Sequence, residues 1–450
     1  MLSDKICQEC YRVFTEFDER WCKPCNSKHF QYDFNKWTSG NNEIDKFIQD
    51  SQLNADNKCK VIEWIPYHRL KSIEEMAKGG FGTIYKAKWN GRILRWDPDL
   101  LRWVRSNKRD VALKKFDNKF ASLNEDFLNE IAIHLKVNYT IVALSFYGIT
   151  KDPETNEYIM VLEYMSDGNL RDYLRNHFDD ISWELKLGHL RRLSFNFKNI
   201  HKLNIIHHDF HPGNILSNNF EYFSSTNISD FGLSKLIGKN VENPEKRQIF
   251  GVLPYIAPEV LSGEEYTKAA DVYSFGVIAY EIITGFAPYY DIPHDRDLAR
   301  KICNGLRPKI PFHIPKLLTR LIMRCWDARV THRPTFLELH DELHKYHYYY
   351  RNKCTSKEKK EITVQIEQAK EFSKNKEKRG FLNLIRGNKS NSTTPTPMNY
   401  KTHPEAIYTS RLLNYSSLPK PKNDENFENE LVELIKSTSA LSMVASRPVG

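Results

Sequence analysis

The chain has 450 residues, 40% of them apolar and 27% charged, with a formal net charge of +9. This is enough apolar chain for one large domain or two to three smaller ones with real cores, and no run approaches the roughly 18 apolar residues that a membrane span needs, so stable membrane insertion is not expected. Residues 351–389 hold 12 Lys and Arg against 5 Glu, so most of the charge belongs to one segment and nucleic-acid binding by the whole protein is not expected.

The start, MLSDKICQEC, lacks the apolar region of a secretory signal, and the eight cysteines, at 7, 10, 22, 25, 59, 303, 325 and 354, are few for this length, the last four too scattered for a disulfide framework. Both features point to a reducing, cytoplasmic setting. Residues 1–30 carry CQEC and CKPC, which place Cys7, Cys10, Cys22 and Cys25 as two knuckles. Two such knuckles bring four thiolates to one tetrahedral Zn2+, and so short a segment cannot otherwise bury a core. Free or redox thiols are the alternative, because the intervening loop is shorter than usual. A closed four-sulfur set has no open position for catalysis, so the module is expected to be structural, or an adaptor for a protein partner. Residues 31–67 read as a linker holding one helix, NEIDKFIQDSQL at 42–53, with Ile44, Phe47, Ile48 and Leu53 along one side.

From 64 to 345 the sequence is dense in apolar periodicity. Strands are expected for TIYKAKW (83–89) and DVALKKF (110–116), joined by a basic, Trp-bearing insertion at 90–109. A helix at 122–137 follows, with Ser122 and Glu125 spaced as a capping box, and then the strand YIMVLEYM at 158–165. Leu187, Leu190, Leu193, Phe197 and Ile200 recur at helical spacing, and DVYSFGVIAYEII (271–283) is apolar enough for a buried helix. Strands first and helices afterwards imply an α+β protein with two lobes. Beyond 350, residues 357–379 read as a charged helix with a solvated face, and the Ser/Thr/Pro/Asn-rich stretch 388–406 as largely disordered.

Several short motifs carry chemistry. In MAKGGFGTI (76–84), Gly79, Gly80 and Gly82 suit a hairpin flap whose backbone approaches phosphate oxygens, although such a turn alone is often only a turn. Lys114 lies in an apolar strand and needs an anionic partner, for which Glu130 on the following helix is the natural candidate; the bland alternative is a solvated surface pair. In IIHHDFHPGNIL (205–216), His207, His208 and His211 surround Asp209, which suggests a metal cluster at first sight.

Asn214 is followed by SDFGLSK with Asp230, then VLPYIAPEVL, DVYSFGV and CWDARVTHRPT. This ordered set, together with the flap and the strand lysine, resembles the protein kinase superfamily over about 68–345. DVYSFG and CW…RP look most like the tyrosine-kinase-like and tyrosine kinase branches. EWIPY (63–67), the paired cysteines and HPEAIYTSRLLNYSSLPKPKN are similar to the expanded kinase families of arbuscular mycorrhizal fungi. The resemblance implies a bilobal fold, with a small antiparallel β lobe plus one helix and a larger helical lobe, over 68–345; the composition of 346–450 reads as a basic, mostly disordered tail. It also implies transfer of the γ-phosphoryl group of ATP to protein hydroxyls in signal transduction.

By the same resemblance Asp209 takes the substrate hydroxyl proton, Asn214 and Asp230 hold Mg2+, and Lys114, fixed by Glu130, pairs with the α and β phosphates. Met76, Gly79, Gly80, Gly82 and Ile84 cover the nucleotide; Ala112 and Leu216 sandwich the ring; Leu162 guards the back of the pocket; Glu163 and Met165 form the hinge that receives adenine. Glu259 pairs with Arg333 as a brace. His207 becomes a packing residue, and the metal nearby Mg2+ on oxygen donors. The absence of a tryptophan from YIAPE tilts selectivity toward Ser/Thr over Tyr.

A pseudokinase scaffold is the competing class, and retention of Lys114, Glu130, Asp209, Asn214 and Asp230 favours the enzyme. A small-molecule phosphotransferase, suggested by HxDxHPGN, is disfavoured by APE and DVYSFG. Four departures stand out. Ala77 replaces the first flap glycine, His208 the arginine of HRD, His211 the usual lysine or arginine two places after the catalytic aspartate, and Val252 a threonine common in Ser/Thr kinases. Between Asp230 and Glu259 the hydroxyl residues are Ser234 and Tyr255 alone. Loss of the phosphate-binding arginine and of phosphorylatable loop residues agree, so activation without loop phosphorylation is expected.

Overall fold

The computed structural model describes residues 5–16, 20–79, 82–116, 123–137, 142–236, 249–352, 361–385, 397, 399–415 and 417–444. The chain folds as two compact units, residues 1–166 and 167–450.

The first unit contains α1 (Lys23–Asp33), α2 (Asn42–Asn54), β1 (Glu63–Trp64), β2 (Leu70–Gly79), β3 (Gly82–Trp89), β4 (Ile93–Asp97), β5 (Arg102–Arg105), β6 (Arg109–Lys115), α3 (Leu123–Val137), β7 (Phe146–Lys151) and β8 (Tyr158–Glu163). Six strands form one sheet in the order β1-β7-β8-β6-β3-β2, antiparallel except for β1 beside β7. Its two faces separate by strand alternation. Ala87, Val111, Leu113 and Val161 pack on one side. Met160 and Leu162 pack on the other, against Phe127 and Ile131 of α3 and Ile44 and Ile48 of α2.

The expected helix at 42–53 is therefore part of the core. Asn41 caps it by accepting from the N–H groups of Glu43 and Ile44. Its apolar stripe needs cover, and the sheet supplies it, so much of 31–67 is built into the unit where the sequence suggests a linker. The insertion at 90–109 is a hairpin, β4–β5, that stacks Trp96 on His29 at 4.0 Å and Trp103 on Phe30 at 4.2 Å. Trp21 is fully buried beside them and donates its indole N–H to the Ala55 carbonyl at 3.0 Å. The hairpin thus covers the cysteine-bearing segment. Ser122 and the Glu125 side chain, expected as a capping box, lie outside the described residues.

The second unit is mainly helical. It holds α4 (Leu170–His177), α5 (Trp183–Lys202), β9 (Ile205–Ile206), β10 (Ile215–Ser217), β11 (Thr226–Ile228), β12 (Lys235–Leu236), β13 (Ile249–Gly251), α6 (Pro258–Leu261), α7 (Lys268–Thr284), α8 (Arg296–Cys303), α9 (Lys316–Cys325), α10 (Phe336–Arg351), α11 (Glu361–Ile385), β14 (Arg411–Leu413) and α12 (Phe427–Val444). Leu187, Leu190, Leu193, Phe197 and Ile200 of α5 are all fully buried, as their spacing dictates. α7 is buried nearly all round and stops at Gly285, whose φ of 75° suits glycine.

Of the stretch 388–406 expected to be disordered, residues 388–396 and 398 lie outside the described residues; among the described residues after 350 several are well packed. Ile362, Ile366 and Ala369 of α11 are buried, and β14 pairs antiparallel with β13. Tyr400, within 388–406, and Tyr408 and Leu413, beyond it, anchor the described part of 399–415, Tyr400 against Phe286 and Tyr290.

Candidate active site

In the first unit the sheet register aligns several of the expected site residues. Ile84 lies opposite Lys114, Lys114 opposite Met160, and Ala112 opposite Leu162, all on the face shared with α3. Lys114 Nζ bonds both Glu130 oxygens, at 2.7 and 2.9 Å, with the two residues 5% and 0% exposed. The solvated-surface alternative for this pair is thereby set aside. The flap closes at the Gly79–Gly82 pair of the β2–β3 hairpin. At Gly82, φ is 142° and a Cβ would lie 2.0 Å from the Lys115 carbonyl oxygen, so no side chain fits there. Met76 is exposed on β2, and Gly80 lies outside the described residues. At the hinge, the Glu163 N–H donates to the Ser145 carbonyl at 2.9 Å, and Met165 is buried.

In the second unit the loop 207–214 is held from beneath by Asp271, the first residue of DVYSFG, to which the sequence alone assigns no role. Its carboxylate accepts from His201 Nε2 at 2.8 Å and from the N–H groups of His207 at 3.0 Å and His208 at 3.3 Å. Burial opposes its charge, yet these hydrogen bonds keep its pKa below the usual carboxylate value. They also fix His208 at φ 69°, a left-handed conformation that a histidine holds only when its surroundings impose it. Asp230 is left-handed too, at φ 60°.

The histidines do not converge. The His207 ring is fully buried, donates Nε2–H to the Ser229 carbonyl at 3.0 Å, and packs 5.1 Å from Phe231. Burial lowers its pKa, so it is neutral. His208 stacks on Tyr266 at 4.3 Å. His211 Nδ1 accepts from the Gly213 N–H at 3.0 Å, which puts the ring proton on Nε2, 3.6 Å from Asp209 Oδ2.

Asp209 is 5% exposed, and Asn214 Nδ2 donates to its carbonyl at 3.0 Å. The Asn214 carbonyl in turn accepts from the N–H and hydroxyl of Ser229, at 2.9 and 3.0 Å, which ties the loop to the segment bearing Asp230. Leu216, on β10, is half-buried. A group the sequence did not single out reaches the site as well: Ser410 Oγ donates to Asp209 Oδ2 at 2.5 Å. The stretch containing it was visible in the sequence, but nothing local ties it to residue 209.

The brace is present. Arg333 bonds both Glu259 oxygens, at 2.6 and 2.7 Å. Both loop hydroxyls are engaged: buried Ser234 donates to the His207 carbonyl at 3.0 Å, and Tyr255, also buried, donates to Glu281 and accepts from Arg171 at 2.9 Å. Mass-spectrometric mapping of active protein should therefore find no phosphate within 231–258; a stoichiometric phosphosite there would overturn the expectation drawn from His208.

Cys7, Cys10, Cys22 and Cys25 bring their sulfurs within 4.8 Å of one another, a grouping of donors close enough to hold a metal ion. Burial pushes the Cys22 thiol up to about 11 and raises Cys25 as well, whereas a hydrogen bond from the Arg12 backbone brings the Cys10 thiol down to about 7. Among the described residues no helix is long and apolar enough to cross a membrane.

A six-stranded sheet with a buried lysine–glutamate pair, and a helical unit with a braced loop around an aspartate, define the α+β fold of a protein kinase. The model of the family described as protein tyrosine and serine/threonine kinase matches residues 70–343, and the chain belongs to that family. Over 296 residues it is 31% identical to a probable serine/threonine-protein kinase, roco5, of Dictyostelium discoideum, covering 62% of this chain and 10% of that protein. It is 27% identical to the dual specificity protein kinase pyk3 of the same organism, covering 62% of this chain and 19% of pyk3. It is 25% identical to the tyrosine-protein kinase SPK-1 of Girardia tigrina, covering 66% of this chain and 54% of the relative. The chain thus spans from a tenth to about half of the length of these relatives.

Proposed function

We propose that the chain is a catalytically active, ATP- and Mg2+-dependent kinase of protein serine and threonine hydroxyls. The observation that carries this reading is the Lys114–Glu130 pair. Burying two charges together is weak for stability and often worse than an apolar pair of equal volume. A pair held at 2.7 Å and almost wholly excluded from water is better explained by work on an anion, here the α and β phosphates of ATP.

Asn214 and Asp230 fit Mg2+, a cation that prefers oxygen donors. The Asn214 amide donates through Nδ2, which leaves Oδ1 as a ligand, and Asp230 supplies a carboxylate. When bound, Mg2+ neutralises charge on the transferred phosphoryl group. Asp209 orients the acceptor hydroxyl and takes its proton, and the Glu163 carbonyl, beside an N–H already donated to the Ser145 carbonyl, receives adenine together with Met165. Transfer of label from ATP to arrayed Ser, Thr and Tyr peptides tests the reading. Label on Ser and Thr peptides supports it; a signal no higher than that of an Asp209→Asn variant moves the assignment to a scaffold.

The four-cysteine cluster is assigned to a structural Zn2+. Elemental analysis should find zinc bound to the purified protein, and a strong chelator should shift the fluorescence of Trp21, Trp96 and Trp103, which lie on or beside that segment. Metal-free protein with unchanged tryptophan fluorescence would remove the assignment.

A further inference from the structure

The segment 399–415 lies along the second unit, turning at 404–405, and is fixed at several points. His294 donates its N–H to the Glu405 carbonyl at 2.9 Å, and Arg171 Nη1 donates to the Tyr408 carbonyl at 2.7 Å. Downstream, Arg411, Leu412 and Leu413 pair with Gly251, Phe250 and Ile249, so the tail adds a strand to the chain just before Val252, and Leu413 is 4% exposed. This is strand addition, in which backbone bonds give affinity and set the register. Between the two anchored stretches stands Ser410.

The register places one hydroxyl at the catalytic carboxylate. Ser410 Oγ accepts from His211 Nε2–H at 3.2 Å and donates to Asp209 Oδ2 at 2.5 Å. The hydroxyl proton therefore points at the base and the oxygen is held by a second group, as a nucleophile awaiting proton removal requires. At Gly251 φ is 138°, and a Cβ there would stand 3.2 Å from Ile256 Cδ1 and 3.3 Å from Asp209 Oδ1, so a side chain would crowd the carboxylate. The neighbouring hydroxyls are placed otherwise. Tyr408 donates to the Pro288 carbonyl at 2.9 Å, and Thr409 is exposed.

We propose that Ser410 is a phosphoacceptor of its own chain, and that its segment occupies the peptide-acceptor groove until it is modified. The proposal rests on the kinase reading above. In the step, Ser410 Oγ bonds the γ-phosphorus of ATP, the bond from that phosphorus to the bridging oxygen breaks, the hydroxyl proton passes to Asp209 and ADP leaves. The product sets a phosphate of nearly two negative charges against the Asp209 carboxylate, so the contact that seats the tail becomes repulsive. Modification thereby vacates the groove for other acceptors.

The test uses the full chain, freed of phosphate beforehand and incubated with magnesium and ATP while Ser410 occupancy and transfer to a Ser/Thr peptide are followed together. Ser410 should be labelled at a fractional rate independent of protein concentration, and peptide transfer should show a lag that ends as Ser410 fills. Ser410→Glu should remove the lag. Leu413→Asp, which disturbs the added strand and leaves the acceptor untouched, should slow Ser410 labelling severalfold and also remove the lag. Peptide labelling without Ser410 labelling overturns this inference and leaves the kinase reading intact. Transfer to neither acceptor overturns both. A fractional rate that rises in proportion to protein concentration, or a Leu413→Asp variant that labels Ser410 as fast as the parent, overturns the assignment to the same chain.

Discussion

Asp209→Asn is expected to lower kcat for phosphoryl transfer by on the order of 10²–10⁴, the range that a positioned general base contributes, with little change in melting temperature. The reasoning separates structure from chemistry at one residue. Asn214 bonds the Asp209 carbonyl, which asparagine retains, and the loop is held by Asp271 through the N–H groups of His207 and His208. The substitution therefore leaves the supports of the loop in place. What is lost is the carboxylate that accepts from a hydroxyl at 2.5 Å, together with a negative charge 3.6 Å from His211. Steady-state kinetics beside a thermal melt check this. A variant with full kcat would show that residue 209 does not act as base, and one that melts far below the parent would show that the carboxylate supports the loop instead.

How much of this was legible depends on the range of the contact. The buried stripe of α5 followed from periodicity, because a helix brings Leu187, Leu190, Leu193, Phe197 and Ile200 to one side by local geometry alone. The Lys114–Glu130 partnership followed from a charge in an apolar strand, which physics obliges to find a counter-ion. Glu259 and Arg333, 74 residues apart, could be paired only through the family resemblance, since no local pattern links them. The contacts that escaped the sequence are likewise long-range. Trp96 and Trp103 stack on the segment of Cys22 and Cys25 through a hairpin whose strands lack clear alternation, and β1 joins the sheet with two residues. Ser410 reaches Asp209 across 201 positions through a backbone pairing that leaves no periodic mark in a stretch rich in polar residues.

Arg333→Met tests the other long-range tie and should be the most destabilising single change considered for this chain. Arg333 and Glu259 are 7% and 2% exposed, and their two bonds are 2.6 and 2.7 Å long. Removing one partner of such a pair leaves the other charge buried and uncompensated, at a cost of about 3–5 kcal/mol. For a unit of this size that corresponds to a fall in melting temperature of about 10 °C. The arginine also donates to the carbonyls of Asp327 at 2.7 Å and Ala269 at 3.0 Å, which a methionine leaves unsatisfied. The double change Glu259→Met with Arg333→Met should therefore recover part of the loss, because it removes the stranded carboxylate, and not all of it, because the two carbonyls still lack a donor. Thermal melts of the parent, both single variants and the double variant give the coupling directly. Additive losses would mean that the two side chains do not stabilise one another, and the brace would then have to be assigned to the carbonyl contacts of Arg333 alone.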